Sequence, residues 1–269
     1  MISRFQRYIV RLAAAITMGV FVWIVGYILV KGLPHLSLSL FSFTYNSENV
    51  SMLPAMINTV LMTLLALMVS VPLGVFSAIY LVEYAKRGNK LVSIVRMAAE
   101  TLSGIPSIVY GLFGMLFFVI TLQMGLSILS GALTLSMMTL PLILRTTEEA
   151  LKAVPDSFRE GSFGLGAGKL RTVMRIVLPA AAPGILAGVI LAVGRIVGET
   201  AALIFTAGTV PSLPKGLFSS GRTLSVHMYV LASEGLHIEE GYATAVILLL
   251  VVFGINALSH TIAKRITKG

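Results

Sequence analysis

The chain has 269 residues, no cysteine and a formal net charge of +9, with 57% hydrophobic and only 12% charged residues. A mean hydropathy of +0.94 lies well beyond that of a soluble domain and places the chain in the membrane class. The absence of cysteine excludes disulfides, thiolate metal sites and cysteine nucleophiles. His35, His227, His237 and His260 are too scattered for a zinc-ligand spacing.

The apolar runs are continuous rather than alternating, which implies an all-α membrane protein and not a barrel. Six spans are expected, at about 8–30, 54–82, 104–121, 127–145, 180–207 and 242–262. The first has a basic flank like a secretory signal. Its apolar core is too long for one, and Lys31-Gly32-Leu33-Pro34 follows in place of a small-residue cleavage site, so it reads as an uncleaved anchor. Residues 32–53, rich in Ser, Phe and Leu, form an external loop expected to skim the interface. Asn58 and Thr59 open the second span, and Pro72-Leu73-Gly74 interrupts it with an expected kink. The third begins at Ser103-Gly104-Ile105-Pro106-Ser107, and Gly104, Ser107, Gly111 and Gly114 make a small-residue stripe suited to close helix approach.

Between the fourth and fifth spans, residues 146–179 are too long for a tight turn and too patterned for a linker. Pro155 suits a first helical position, and Ser157-Phe158-Arg159-Glu160 has capping-box spacing. The helix is expected to break around Gly161, Gly164, Gly166 and Gly168. It resumes at Lys169 as an amphipathic stretch ending at Leu178-Pro179. The glycines beside Lys169 do not make a Walker A loop: the required earlier Gly position is Phe163, and Leu170 stands where Ser or Thr would bind magnesium. Energy for transport must therefore come from another subunit or from an ion gradient.

Residues 183–207 form a membrane-length run with Arg195 and Glu199 near its middle. Arg195 falls roughly 18 Å into a hydrocarbon core about 30 Å thick. Glu199 stands one turn away, within reach of an i,i+4 pair. Two readings are open: a structural ion pair between packed helices, or a charged lining on the route of a polar solute. Thr200, Thr206 and Ser103 are neutral hydroxyls that serve either as further donors or in helix packing, and Tyr110 reads as a packing residue. Residues 208–240 make the longest external segment, with Pro211, Pro214, Gly216, Gly221 and Gly235 as turn signals and Glu234, Glu239 and Glu240 at its end.

The basic residues sort by side. Arg4, Arg7 and Arg11, then Lys86, Arg87, Lys90 and Arg96, then Arg145, Lys152, Arg159, Lys169, Arg171 and Arg175, and finally Lys264, Arg265 and Lys268 fall on one side; Lys31, Lys215 and Arg222 fall on the other. The positive-inside rule then places both termini in the cytoplasm, which requires an even number of spans. Basicity here reports topology and not a nucleic-acid partner.

Glu160-Gly161-Ser162, Gly166 and Ile176-Val177-Leu178-Pro179 resemble the EAA loop of ABC-importer permeases. In that family the loop is a coupling helix docked on a cytoplasmic ATPase; Glu160 takes its acidic place and Gly166 its turn. Gly161 and Ser162 depart from the two alanines that the family favours, and the Gly weakens a helix by roughly 1 kcal/mol. A wider resemblance rests on Asn58-Thr59, Val71-Pro72-Leu73-Gly74, Ala78-Ile79-Tyr80-Leu81 with Glu83-Tyr84, and Glu100-Thr101. Gly104-Ile105-Pro106-Ser107-Ile108-Val109-Tyr110-Gly111, Arg145-Thr146-Thr147-Glu148-Glu149-Ala150, Gly194-Arg195 and Gly198-Glu199-Thr200-Ala201 complete it. Over roughly residues 54–262 these resemble the PstA-type permeases of phosphate importers.

The resemblance implies the six-helix, MetI-like type I importer fold. Residues 1–53 would be an anchor helix with its loop, 54–262 the permease domain and 263–269 a cytoplasmic tail. It implies a bacterial cytoplasmic (inner) membrane location and partnership with a sister permease (PstC-type), an ATPase dimer (PstB-type) and an external phosphate-binding protein (PstS-type). ATP and magnesium would be held by the ATPase, leaving this chain without a cofactor or catalytic residues. Arg195, Glu199 and Thr200 would line the path, and Glu160, Gly161, Ser162, Gly166, Leu178 and Pro179 would couple it to the ATPase. Alternatives are a permease for sulfate, molybdate or phosphonate, and an ion-coupled secondary transporter. The latter predicts internal inverted repeats, and none is visible in the sequence.

Overall fold

The computed structural model describes residues 4–86 and 88–268. Arg87 and the side chains of Arg4, His260, Lys264, Arg265 and Lys268 lie outside the described residues. The described chain is helical: α1 (Arg4–Gly32), α2 (Leu53–Tyr84), α3 (Lys90–Ser103), α4 (Ser107–Thr121), α5 (Ile128–Lys152), α6 (Asp156–Gly164), α7 (Lys169–Val197), α8 (Ala201–Thr206), α9 (Leu224–Glu234) and α10 (Ile238–Lys268). By length and composition α1, α2, α5, α7 and α10 each suffice to cross a membrane, and α3 with α4 makes a sixth candidate bent by 103°.

α5 is the central post. It packs against α2 and α7, with α3, α4 and α8 around it. Met62, Tyr110, Leu135, Met138, Ile196 and Leu203 form the main core. At the basic end, Ala78, Leu151, Val154, Val173 and Val177 close a second cluster. At the other end Leu40, Met52, Ala55, Leu224 and Ala243 fasten a strap, residues 33–52, over the start of α9. Most buried hydroxyls are satisfied within the bundle, Thr147 Oγ1 being an exception: Thr63, Ser70, Thr134 and Thr139 donate one turn back along their own helices, and Ser136 Oγ also reaches the Ala66 carbonyl of α2 at 3.0 Å. Such bonds cost little to order and keep these hydroxyls from facing hydrocarbon unpaired. α1 stays at the periphery, held to α10 by a Tyr27–Tyr242 edge contact at 5.9 Å and by Gly32 seated on the Tyr242 carbonyl.

Several element boundaries differ from those expected. α2 starts at Leu53, as the expected span 54–82 requires, but runs through Pro72 without a break and ends in a wide π-type turn at Tyr80–Tyr84. The expected third span is broken at 104–106, so α4 alone is about 22 Å long, short of a hydrocarbon core of about 30 Å. Gly111 lies directly on Ala202 and Gly114 on Thr134 and Thr206, as a packing stripe requires, but Gly104 meets only the Thr101 carbonyl of its own turn. The fifth helix does not stop at Leu178-Pro179: α7 continues from Lys169 to Val197. The π-type turn Val173–Val177 widens the ladder just ahead of Pro179 and relieves the clash of its ring with the preceding turn. α7 then ends at Val197, ten residues earlier than the expected span. α9 lies inside the segment read as external loop.

Candidate translocation and coupling site

Arg195 lies in the last turn of α7 and is half-buried. It has no ion pair or side-chain hydrogen bond among the described residues, though it stands within electrostatic reach of Tyr110. Tyr110 is 3% exposed and donates its hydroxyl to the Leu102 carbonyl at 2.7 Å, which leaves it a packing residue. The expected i,i+4 pairing of Arg195 with Glu199 is absent. Gly198 caps α7, the chain turns, and the buried Glu199 carboxylate instead accepts the Ala202 amide at 3.0 Å. Glu199 thus stabilises the first turn of α8 by filling an orphan backbone donor. Thr200 is the N-cap residue of α8, without a side-chain cap bond. Thr206 and Ser103 spend their hydroxyls on the Ala202 and Glu100 carbonyls. Arg195 is left as a guanidinium with open donors at a bend between two helices.

At the basic end, α6 starts at Asp156 with Pro155 as its N-cap, so Ser157 falls inside the helix and the expected capping box does not form. Asp156 in the first turn complements the helix dipole instead. The helix closes with Gly166 N on Phe163 O at 2.9 Å and Ala167 N on Ser162 O at 3.1 Å, with Gly166 at φ +81°. These are the two bonds of a Schellman motif, which needs a left-handed residue at that place. Ser162 Oγ meets Thr172 Oγ1 at 2.8 Å and ties α6 to α7. Gly161 has no atom within 4 Å of a built Cβ. Glu160 is exposed, Leu178 joins the second core cluster, and Pro179 is exposed on α7.

The residue that anchors this knob was not singled out from the sequence. Arg159 sits between three helix ends, its Nη2 at 2.7 Å and its Nε at 3.1 Å from Glu83 Oε1. The same guanidinium donates to the Leu151 and Val154 carbonyls at 2.9 and 2.8 Å and to Asp156. With Glu83 only 7% exposed, α6 is clamped to the ends of α2 and α5 by a fork of charge-assisted bonds. A groove of about 530 Å³ runs along the knob, lined by Phe158, Gly161, Leu165 and Ile176 and rimmed by Arg171 and Arg175. Among the described residues no three His, Asp or Glu side chains converge to hold a metal ion.

Residues 70–269 match the family described as "Binding-protein-dependent transport system inner membrane component". A probable ABC transporter permease protein, YqgI of Bacillus subtilis, is 34% identical over 283 residues, covering 95% of this chain and 94% of that protein. The phosphate transport system permease protein PstA of Mycobacterium leprae is 34% identical, covering 75% and 67% of the two chains; PstA of Yersinia pestis is 37% identical, covering 72% and 66%. Among solved structures, a bacterial alginate ABC transporter chain superposes with a TM-score of 0.67 over 99% of both chains at 17% identity. A chain of the inward-facing MetNI methionine transporter gives 0.63 over 80% and 94% at 19%. These two likenesses carry the fold, that of MetI-like type I importers. With its apolar bundle, its knob and these relatives, the chain belongs to the binding-protein-dependent transport system inner membrane components, as a multi-pass ABC-importer permease of the PstA type.

Proposed function

We propose that this chain is the permease subunit of an ATP-driven importer of inorganic phosphate in a bacterial cytoplasmic membrane. Arg195 carries the reading: a guanidinium without a counter-ion among the described residues, on a membrane helix, at a bend lined by Thr200. Phosphate is an anion near neutral pH, and an uncompensated anion cannot enter hydrocarbon. The planar fork of Arg suits phosphate oxygens. Glu199, held on the α8 amide, places a second charge nearby that keeps the anion from binding too tightly to leave. The PstA relatives favour phosphate over sulfate, molybdate or phosphonate. ATP is hydrolysed on a PstB-type ATPase docked against α6 and the apolar groove beside it. A PstC-type sister permease completes the path, and a PstS-type protein delivers the anion from outside.

The test is uptake by the assembled complex in proteoliposomes. Arg195→Gln is expected to assemble, since no partner loses its bond, and to lower phosphate uptake roughly 10- to 100-fold, the worth of a charge-assisted hydrogen bond. Arg195→Lys is expected to recover only part of it, because a point charge replaces a fork. Undiminished uptake by Arg195→Gln, or preferential uptake of sulfate by the parent, would overturn the assignment.

A further inference from the structure

At the strap end of the bundle a second arginine is stranded. Arg222 is 3% exposed, and its Nε and Nη2 are sealed from solvent with no hydrogen-bond partner. His227, one turn into α9, is fully buried; the Val50 main chain acts on its ring, yet neither nitrogen meets a partner in full hydrogen-bond geometry. Tyr45 of the strap covers both: its ring centroid lies 4.7 Å from the Arg222 guanidinium carbon and 6.2 Å from the His227 ring. Asn58 holds the Arg222 carbonyl at 3.2 Å and leaves its own Oδ1 unpartnered. No carboxylate pairs with Arg222 among the described residues. A buried, unpaired guanidinium is far more costly than a paired one, and each such orphan calls for a bound water, an ion or a role in function. A partner subunit docked outside does not reach atoms already sealed beneath Tyr45.

We propose that Arg222 and His227 form a receiving site for a protonated oxyanion, inorganic phosphate, closed in this conformation by Tyr45 and opened when the strap lifts. This rests on the phosphate reading and adds to it a station ahead of Arg195. The chemistry is matched. Arg222 supplies two donors for anionic oxygens, and a neutral imidazole supplies one donor and one acceptor. Phosphate near neutral pH carries a hydroxyl able to donate to that acceptor, whereas sulfate has none. The strap is built to move. It is pinned by Ser51 Oγ on the Leu40 and Ser42 carbonyls and by Met52 N on Leu40 O at 2.8 Å. Val50, a β-branched residue, sits beside these bonds at φ +43°, a strained conformation for its type.

The experiment uses the permease–ATPase complex in lipid nanodiscs, without binding protein and in an Arg195→Gln background that removes the membrane arginine. Inorganic phosphate is titrated at pH 7 and the thermal midpoint is followed, since a ligand of the folded state raises it by mass action. Phosphate is expected to raise the midpoint and sulfate to do so at least tenfold less effectively. Arg222→Met is expected to weaken phosphate binding at least tenfold without lowering the midpoint in its absence. Tyr45→Ala, which lifts the cover, is expected to tighten binding at least threefold. No phosphate response in the complex that keeps Arg222, or an equal response in Arg222→Met, overturns the proposal; the first result together with a lowered midpoint in Arg222→Met marks the cluster as holding structural water. Should Arg222→Met fail to assemble, an unchanged affinity in Tyr45→Ala overturns it equally. The phosphate reading stands or falls separately, on uptake by the complex with Arg195 intact.

Discussion

Glu199 is the residue whose role changes most between sequence and structure. Read along a continuous helix, it faces Arg195; in the fold, Gly198 ends α7 and turns the carboxylate onto the Ala202 amide. Glu199→Ala is therefore expected to cost about 1 kcal/mol, the worth of a helix cap, whereas Glu199→Gln keeps an acceptor and costs little. Because no bond joins the two side chains, the thermal-stability effects of Arg195→Gln and Glu199→Gln are expected to add within about 0.5 kcal/mol. A larger interaction term in that double-mutant cycle would restore the ion-pair reading. His227 carries the second residue-scale prediction. Burial first, and then the Arg222 charge, hold its imidazole down to about 3, with the Val50 main chain offsetting part of this. Arg222 from the chain ahead of α9 and Tyr45 from the strap are the titratable groups that face it. Unfolded, the ring takes a proton near its ordinary value of about 6.5. Above that value His227 is neutral in both states. As pH falls from about 6.5 towards 3, the unfolded chain binds a proton that the folded chain refuses, and stability drops by up to a few kcal/mol. The thermal midpoint of the parent is expected to fall more steeply over this range than that of His227→Gln; parallel curves would refute it.

At the scale of elements, the knob between α5 and α7 shows what a local pattern can and cannot convey. The turn at Gly166 and the restart at Lys169 were legible, because turn chemistry is local, whereas Gly161 and Gly164 stay inside α6 rather than breaking it. The start of α6 was not legible, since Pro155 and Asp156 begin the helix ahead of the apparent capping box. Nor was the clamp: Arg159 and Glu83 are far apart in sequence and no spacing rule links them. Arg195 stood out because charge is rare in an apolar run, while Arg222 passed as one external cation among three, its burial set by a strap that only tertiary packing defines. Gly161 and Gly166 make opposite predictions about the same helix. Gly161 is helical with open space at its Cβ, so Gly161→Ala is expected to stabilise α6 by about 0.5–1 kcal/mol and to leave phosphate-stimulated ATP hydrolysis intact. Gly166→Val places a β-branched side chain at φ +81°, which strains the Schellman turn by about 1–3 kcal/mol. It is expected to uncouple hydrolysis from uptake while the permease still inserts. Normal coupling in an assembled Gly166→Val complex would remove α6 from the role assigned to it.

At the scale of the whole molecule, the two ends of the bundle differ in charge as membrane topology requires. Lys86, Lys90, Arg96, Lys152 and Arg159 line one cavity of about 840 Å³ at the α6 end, where Glu148 pairs with both Arg96 and Lys152 at 2.6 Å. The strap end gathers Arg222, sealed inside, with Glu239 and Glu240 opening α10. Retention of basic residues on the cytoplasmic side leads to the expectation that α6 lies inside and the strap outside. The six-crossing count depends on the bent α3–α4 pair, since α4 alone is shorter than the hydrocarbon core. If that pair crosses, the N-terminus, the α6 knob and the C-terminus share one side; if it folds back without crossing, an odd number of spans puts the two termini on opposite sides. A reporter that is active only in the cytoplasm settles this when fused after Lys268, inserted near Lys169, inserted near Lys215, or fused ahead of α1, the last being the position before the bent pair. Activity at the first two places and none at the third is expected. Activity ahead of α1 is expected as well, and silence there beside activity near Lys169 would make α3–α4 re-entrant or take α1 out of the membrane. Activity near Lys169 combined with silence after Lys268 would take α7 or α10 out of the membrane, and an inactive insertion near Lys169 would invert the bundle and carry α6 away from any cytoplasmic ATPase.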